Sequence, residues 1–149
     1  MKTLLFTVAG CALFGLTVSA AEKKMKIQDL PPAVQQTVKD QTKNATLVGV
    51  TKEVEKGKTQ YELETKANGK TRDLIIDESG AIVLVEQEVT LDSIPAPAKA
   101  AIEKKAAGGK ITKVETLTKG NTVTYEAALQ KGLKKSEVTV TADGTEVKE

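Results

Sequence analysis

Two stretches, "TQYELETKANGK" (59–70) and "TVTYEAALQKGLK" (122–134), decide how the chain is read. In the first, Tyr61, Leu63 and Thr65 alternate with Glu62, Glu64 and Lys66; in the second, Val123, Tyr125, Ala127 and Leu129 keep the same step of two. That period puts successive side chains on opposite faces of a β-strand. The two tyrosines lie 125 − 61 = 64 positions apart, and the same offset organises the sequence around them.

Laid on residue i + 64, Asp29 meets Ser93, Pro31 meets Pro95, Val34 and Val38 meet Ala98 and Ile102, and Gly80 meets Gly144. Strict identity is low but the role at each position persists, which is the mark of an internal duplication. Asp29 and Ser93 have side-chain oxygens suited to an N-cap, and a proline just after costs nothing in a helix's first turn. Valines four apart share one helical face. Asn44 and Gly108 tolerate the left-handed conformation that commonly ends a helix. The spacing therefore predicts helices over about 31–43 and 95–106. Turn signals then follow in "EKGK", "ANGK" and "ESGA", with counterparts "KGNT", "KGLK" and "ADGT". The expected fold class is α+β: two tandem repeats, each a helix packed on a four-stranded antiparallel sheet. Tyr61 and Tyr125 are expected on the helix-covered face with the phenol reaching its rim.

The chain has 149 residues and a formal net charge of +2. Its start, "MKTLLFTVAGCALFGLTVSAAEKK", has Lys2, an apolar run and a small-residue cleavage site at Val18-Ser19-Ala20. This predicts a signal peptide over 1–20, cut near Ala20 or Ala21, with a periplasmic or secreted product and no stable membrane span after cleavage. The alternative is lipid attachment at Cys11, in the box-like Val8-Ala9-Gly10-Cys11. Residues 21–26 are expected to be a flexible mature terminus, with the repeats at 27–88 and 89–149.

Removing the leader takes away Cys11, Phe6 and Phe14, so the mature chain has no Cys, Phe, Trp or His. Thiol nucleophiles, imidazole bases and His or Cys metal ligands are excluded, as is a disulfide. The reading is of a protein that is no enzyme and needs no cofactor or metal. Without a strong basic excess, neither nucleic acid nor a membrane surface is an expected partner.

"LPPAVQQTVKD", "ATLVGVTKE", "GKTQYELE" and "RDLIIDESGAIVLVE" resemble the PepSY-like family, which includes domains grouped as β-lactamase-inhibitor-like. "IPAPAKAAIEKK", "ITKVETLTKGNTVTYEAAL" and "VTVTADGTEV" are similar but more degraded. The resemblance spans nearly all of the mature chain, and its motifs are those of packing and turns. It implies an exported domain associated with restraint of hydrolases, and it carries over no catalytic residue. The second repeat's "KGLKKSEV" departs from the pattern, with a displaced turn glycine and a polar last strand.

Three features are candidates for a site. "DESG" (77–80) suggests a calcium loop, but the position five before its glycine is Ile75 where an EF-hand needs an acid, so a hairpin turn is expected. Glu62 and Glu64 share a strand face, expected to be solvated. The third is an apolar trio, Ile75, Ile82 and Leu84, expected on the face away from the helix; its counterparts, Thr139, Glu146 and Lys148, suit water. Burying each such side chain is worth about 1.5–3 kcal/mol, so a cover is expected: the other repeat, a second chain in a homodimer, or a protein partner. Repeat charges of 8 − 11 = −3 and 10 − 8 = +2 favour docking between repeats. The functional expectation is an exported, non-catalytic protein-binding module restraining a secreted or periplasmic peptidase or other hydrolase. The alternative is a structural or stress-related envelope protein without an enzyme partner.

Overall fold

The computed structural model describes residues 23–55 and 57–148. The leader, its cleavage point and Cys11 lie outside the described residues. Helices α1 (Pro32–Gln41) and α2 (Ala96–Ala106) each follow a 3₁₀ turn, Ile27–Asp29 and Leu91–Ser93. Asp29 and Ser93 therefore belong to those turns and are not the N-caps. Pro31 and Pro95 are the caps, without side-chain capping bonds. Their carbonyls accept the first helical bonds, from Gln35 N at 2.9 Å and Lys99 N at 3.0 Å. Pro31 precedes a second proline, which disfavours the helical region for it and sets the boundary there. At the far end α2 closes on Ala107 and Gly108, with φ of 46° and 78°. Helix α1 closes without a left-handed residue: Thr42 caps it, and its hydroxyl donates to Val38 O at 2.8 Å.

The strands are β1 (Lys23–Lys24), β2 (Thr46–Glu55), β3 (Lys58–Ala67), β4 (Lys70–Asp77), β5 (Ile82–Glu88), β6 (Lys110–Lys119), β7 (Thr122–Lys131) and β8 (Lys134–Val140). They form one eight-stranded antiparallel sheet in the order β1-β2-β3-β4-β5-β6-β7-β8. This corrects the expected pair of four-stranded sheets. The expectation treated each repeat as closing on itself, which leaves a row of unpaired backbone groups along β5 and another along β6. Those two edges pair instead, Val85 with Thr118 through to Glu88 with Glu115, and satisfy each other. The halves are also unequal. Beyond Val140 the chain makes an isolated bridge, Val140 with Glu146, in place of a ladder. Within 21–26, Lys23 and Lys24 pair with Lys52 and Thr51 at the opposite edge.

Register fixes which residues share a face, because cross-strand partners point the same way. Val34 and Val38 of α1 pack with Val50, Tyr61, Leu63, Leu74 and Ile76. Ala98 and Ile102 of α2 pack with Val114, Ala127, Leu129, Val138 and Val140. Val85 lies against the first cluster and is in register with Thr118; two steps of two along β6 lead to Val114 in the second. Both helices therefore cover one face of the common sheet. Gly80 shows how closely α1 sits on it: with φ of 84°, its missing Cβ would stand 2.8 Å from Ala33 O. Thr37 Oγ1 donates to Gly80 O at 2.7 Å across the same contact. Gly144 repeats the arrangement under α2, with φ of 86° and Pro97 O at 2.7 Å.

The open face of the sheet as candidate functional site

The other face is built by the intervening residues, and the described residues put no helix over it. Thr51, Glu62, Ile75 and Leu84 form one cross-strand row; Gly49, Glu64, Asp73, Glu86, Leu117 and Thr124 form the next. Glu88, Glu115, Glu126 and Thr139 form a third. The middle of an uncovered face is thus largely carboxylate.

These carboxylates are not solvated in the ordinary way. Glu115 and Glu126 are only 3% and 2% exposed, and Glu86 is 7% exposed. With no helix above them, the neighbouring side chains and the coil of a broad twisted sheet must exclude the water. Glu62 and Glu64 do share this face, but both are half-buried, so the expectation of a freely solvated pair is corrected.

Burial, followed by the charges of Glu53, Glu64, Asp73 and Glu86, pushes the Glu62 carboxyl up to about 8. Burial also raises Glu86, to about 7, reinforced by Glu115, Glu126 and Asp73. Asp73 is raised to about 6, again by burial first, with Lys113 opposing. Glu88 escapes the trend through hydrogen bonds. Glu88 Oε2 accepts from Thr71 N at 3.0 Å and Thr71 Oγ1 at 3.1 Å, and the backbone bond is the main cause that lowers its carboxyl. Glu126 Oε2 accepts from Thr139 Oγ1 at 3.0 Å. One oxygen each of Asp73, Glu86 and Glu115 lies within 4.8 Å of the others. Lys113 Nζ stands 2.7 Å from Glu115 Oε1. Ordinary carboxylates gathered so closely must be compensated by protons or by cationic groups.

Of the apolar trio, the structure brings two members together. Ile75 and Leu84 are cross-strand partners on the open face, both half-buried. A register shift follows, leaving Val83 out of the pairing, so Ile82 is in register with Ile76 and is 38% exposed. "DESG" is a turn: Asp77 Oδ1 accepts from Ser79 Oγ at 2.5 Å, Ser79 N at 2.9 Å and Ala81 N at 3.1 Å, and the Ser79 hydroxyl is the main cause that holds its carboxyl low. Sequence reasoning missed Asp73, Glu86, Glu115 and Glu126. Their signal was present, an acid at the outward step of each strand in "RDLII", "VEQE", "VETL" and "YEAAL".

No protein-family model matches the chain, and no curated protein matches it in sequence. Solved structures do match in fold. A protein of Bacteroides eggerthii, provisionally described as periplasmic, is 18% identical with a TM-score of 0.66, covering 80% of this chain and 86% of its own. A DUF2874 family protein of Bacteroides ovatus is 20% identical with a TM-score of 0.62, the coverage being 80% and 85%. A BLIP-like protein of Bacteroides fragilis is 21% identical with a TM-score of 0.57, covering 78% and 82%. The chain therefore has a BLIP-like fold. No helix among the described residues is long and apolar enough to cross a membrane.

Proposed function

We propose that this is an exported, non-catalytic protein-binding module of PepSY-like type, and that the open face of its sheet meets a secreted or periplasmic hydrolase and restrains it. The observation that carries the reading is the composition of that face. Ile75 and Leu84 form an apolar centre beside buried and half-buried carboxylates, on a surface that neither helix covers. An apolar centre with a polar surround is the anatomy of a binding patch. The fold shared with a BLIP-like protein and with a protein provisionally described as periplasmic supports the same reading.

In this account, 27–88 and 89–149 are two PepSY-like units that contribute to one sheet. The matching 3₁₀ turns, helices and register shifts, each displaced by 64, support that division. Cleavage of a leader near Ala20 or Ala21 delivers the product to the periplasm or beyond.

The test uses Ile75→Lys, Leu84→Lys and Ile82→Lys in the exported protein, with capture from the native envelope fraction and assay of any captured hydrolase. The expected result is that the first two lose capture while keeping the wild-type melting temperature and oligomeric state. Ile82→Lys, beyond the register shift, is expected to lose less. Normal folding with undiminished capture in all three would sink the reading and leave the structural-envelope alternative. A broken dimer in light scattering would assign the patch to self-association.

A further inference from the structure

The antiparallel order of the strands gathers five segments at one end of the sheet. They are 39–46 and 103–110, where each helix closes and β2 or β6 begins, the β3–β4 and β7–β8 turns at 66–72 and 130–136, and the end of β5 at 87–90. Together they carry 11 Lys or Arg and 3 Asp or Glu, 11 − 3 = +8. At the opposite end, 54–55, 57–59, 76–82, 118–123 and 140–146 carry 2 − 5 = −3. A chain charge of +2 conceals this separation. The acids of the basic end are already engaged: Asp40 with Lys43, Glu103 with Lys99, and Glu88 with Thr71.

The β7–β8 turn is where this end departs most from an ordinary solvated surface. Lys131 and Lys134 are cross-strand partners at its closing pair, a meeting of like charges that disfavours the hairpin. The Lys131 ammonium donates to Ala107 O at 3.1 Å, which pins the turn to the end of α2, where Lys104 and Lys105 occupy the last helical turn. One step along the strands, Lys110, Gln130 and Lys135 form a cross-strand row of their own. At the tip stands Leu133, completely exposed. In the equivalent turn of the first repeat Asn68 and Gly69 both have positive φ, and Gly69 holds the leucine's place. In the second turn Gly132 alone takes the positive φ, so its neighbour is free to be a leucine. A lone exposed leucine is ordinary; one held at a hairpin tip between opposed lysines is not.

We propose that this end of the sheet docks on an anionic phospholipid surface, with Leu133 entering the headgroup layer and the surrounding lysines meeting lipid phosphates. Charge is the first reason. The end is complementary to a sheet of phosphates, and anions beside Lys131 and Lys134 relieve the repulsion between them. The leucine is the second. A nucleic-acid backbone or a dissolved phosphate would satisfy the amines but leave Leu133 in water, whereas a bilayer sets an apolar layer directly beneath its anions. Lysine stems suit that boundary, because they lie along apolar surface while the ammonium stays in the headgroups. Neither signal holds a protein on a bilayer alone, and the two together give reversible attachment. Strands that meet the surface by their ends rise away from it, so the open face stays free. The proposal does not rest on the binding assigned to that face.

Co-sedimentation with vesicles of phosphatidylcholine, alone or mixed equally with phosphatidylglycerol, tests this. Residues 1–20 are removed first, because an apolar leader would bind any vesicle. At about 0.1 M NaCl the anionic vesicles should bind the protein at least about tenfold more tightly, and about 0.5 M NaCl should remove most of that difference. The double variant Lys134→Gln, Lys135→Gln should weaken anionic-vesicle binding at least about tenfold, at roughly fivefold per lysine. It should melt no lower than wild type, since Lys131 no longer faces a like charge. Leu133→Ser should weaken binding several-fold. Lys119→Gln, on the β6–β7 turn at the opposite end, should bind as wild type does. Equal binding to the two kinds of vesicle would overturn the proposal. So would undiminished binding in the double lysine variant, or a loss as large in Lys119→Gln. Duplex DNA that binds as tightly as anionic vesicles, with Leu133→Ser affecting neither, would make this end a general polyanion surface and overturn the lipid assignment.

Discussion

Leu63 and Glu62 are neighbours in β3, each with a partner across β4, yet they occupy opposite physical worlds. Leu63 is wholly buried beneath α1 against Val34, Val38 and Leu74. Glu62 lies on the uncovered face with Thr51 and Ile75 as its partners, and its carboxyl is pushed to about 8. The same contrast recurs in Leu74 against Asp73 and in Val114 against Glu115. The helix-covered face is stabilised by apolar burial. The open face holds charges in conditions that disfavour them, so it works against stability and has to be explained by something other than folding.

The largest expected effects therefore lie on the covered face. Leu63→Ala or Leu74→Ala should cost about 2–5 kcal/mol in chemical denaturation, because each leaves a cavity between helix and sheet. Trimming Ile75 to Ala on the open face should cost clearly less, since its half-buried surroundings can be filled by water. Equal losses on the two faces would break the distinction.

Next come the glycines under the helices. Gly80→Ala and Gly144→Ala must place a Cβ at φ of 84° and 86°, against a carbonyl oxygen at 2.8 or 2.7 Å. The left-handed conformation alone costs about 1–2 kcal/mol, and separating the helix from the turn adds to it. Gly57→Ala, whose added Cβ would meet nothing within 4 Å, isolates the conformational part. Similar losses at Gly57 and Gly80 would mean that the contact with Ala33 contributes nothing.

Much of the covered face was legible in the sequence. Val34 with Val38, Ala98 with Ile102, and the alternation through Tyr61 and Tyr125 each pointed to a buried stripe by period alone. Glycines 80 and 144 announced their turns for the same local reason. Two kinds of information were not local. Whether β5 closes its own sheet or joins β6 depends on two edges that meet only in the folded chain, and neither period nor turn chemistry specifies that meeting. Burial of the carboxylates was hidden as well. "YELE" reads as one wet and one dry face, and only the lateral assembly of β3 to β7 puts Glu62, Asp73, Glu86, Glu115 and Glu126 beside one another. The register shift that moves Ile82 away from Leu84 was equally silent, because strict alternation through 82–85 looks unbroken in sequence.

A smaller effect is expected from Thr139→Val. Its hydroxyl donates to Glu126, which is 2% exposed. Removing the donor leaves a buried carboxylate oxygen short of a partner, for a loss of about 1–3 kcal/mol. The sequence placed Thr139 on a water-facing surface, where the change would be silent. A silent substitution in thermal and chemical melts would return this row of the open face to that simpler description.

The most delicate test of the contrast is its dependence on pH. Glu62 has an ordinary carboxyl value of 4.5 in the unfolded chain and about 8 in the folded one. Between those limits the native state holds the proton more tightly, so Glu62 favours folding where it is protonated and loses that advantage as pH rises. Its contribution is absent well below pH 4.5, becomes increasingly destabilising from there to about 8, and is constant above. One proton sets the ceiling on the slope at ~1.4 kcal/mol per pH unit, and partial solvation of the side chain reduces it. The groups acting on it through space come from four strands, Glu53 on β2, Glu64 on β3, Asp73 on β4 and Glu86 on β5, and all raise it. Glu62→Gln should therefore be more stable than wild type at pH 8, nearly equal at pH 4.5, and show a flatter stability–pH profile. Leu63→Ala should shift that profile down without changing its slope. If Glu62→Gln runs parallel to wild type across the whole range, the carboxylate is hydrated as an ordinary surface acid is, and the two faces differ in packing alone.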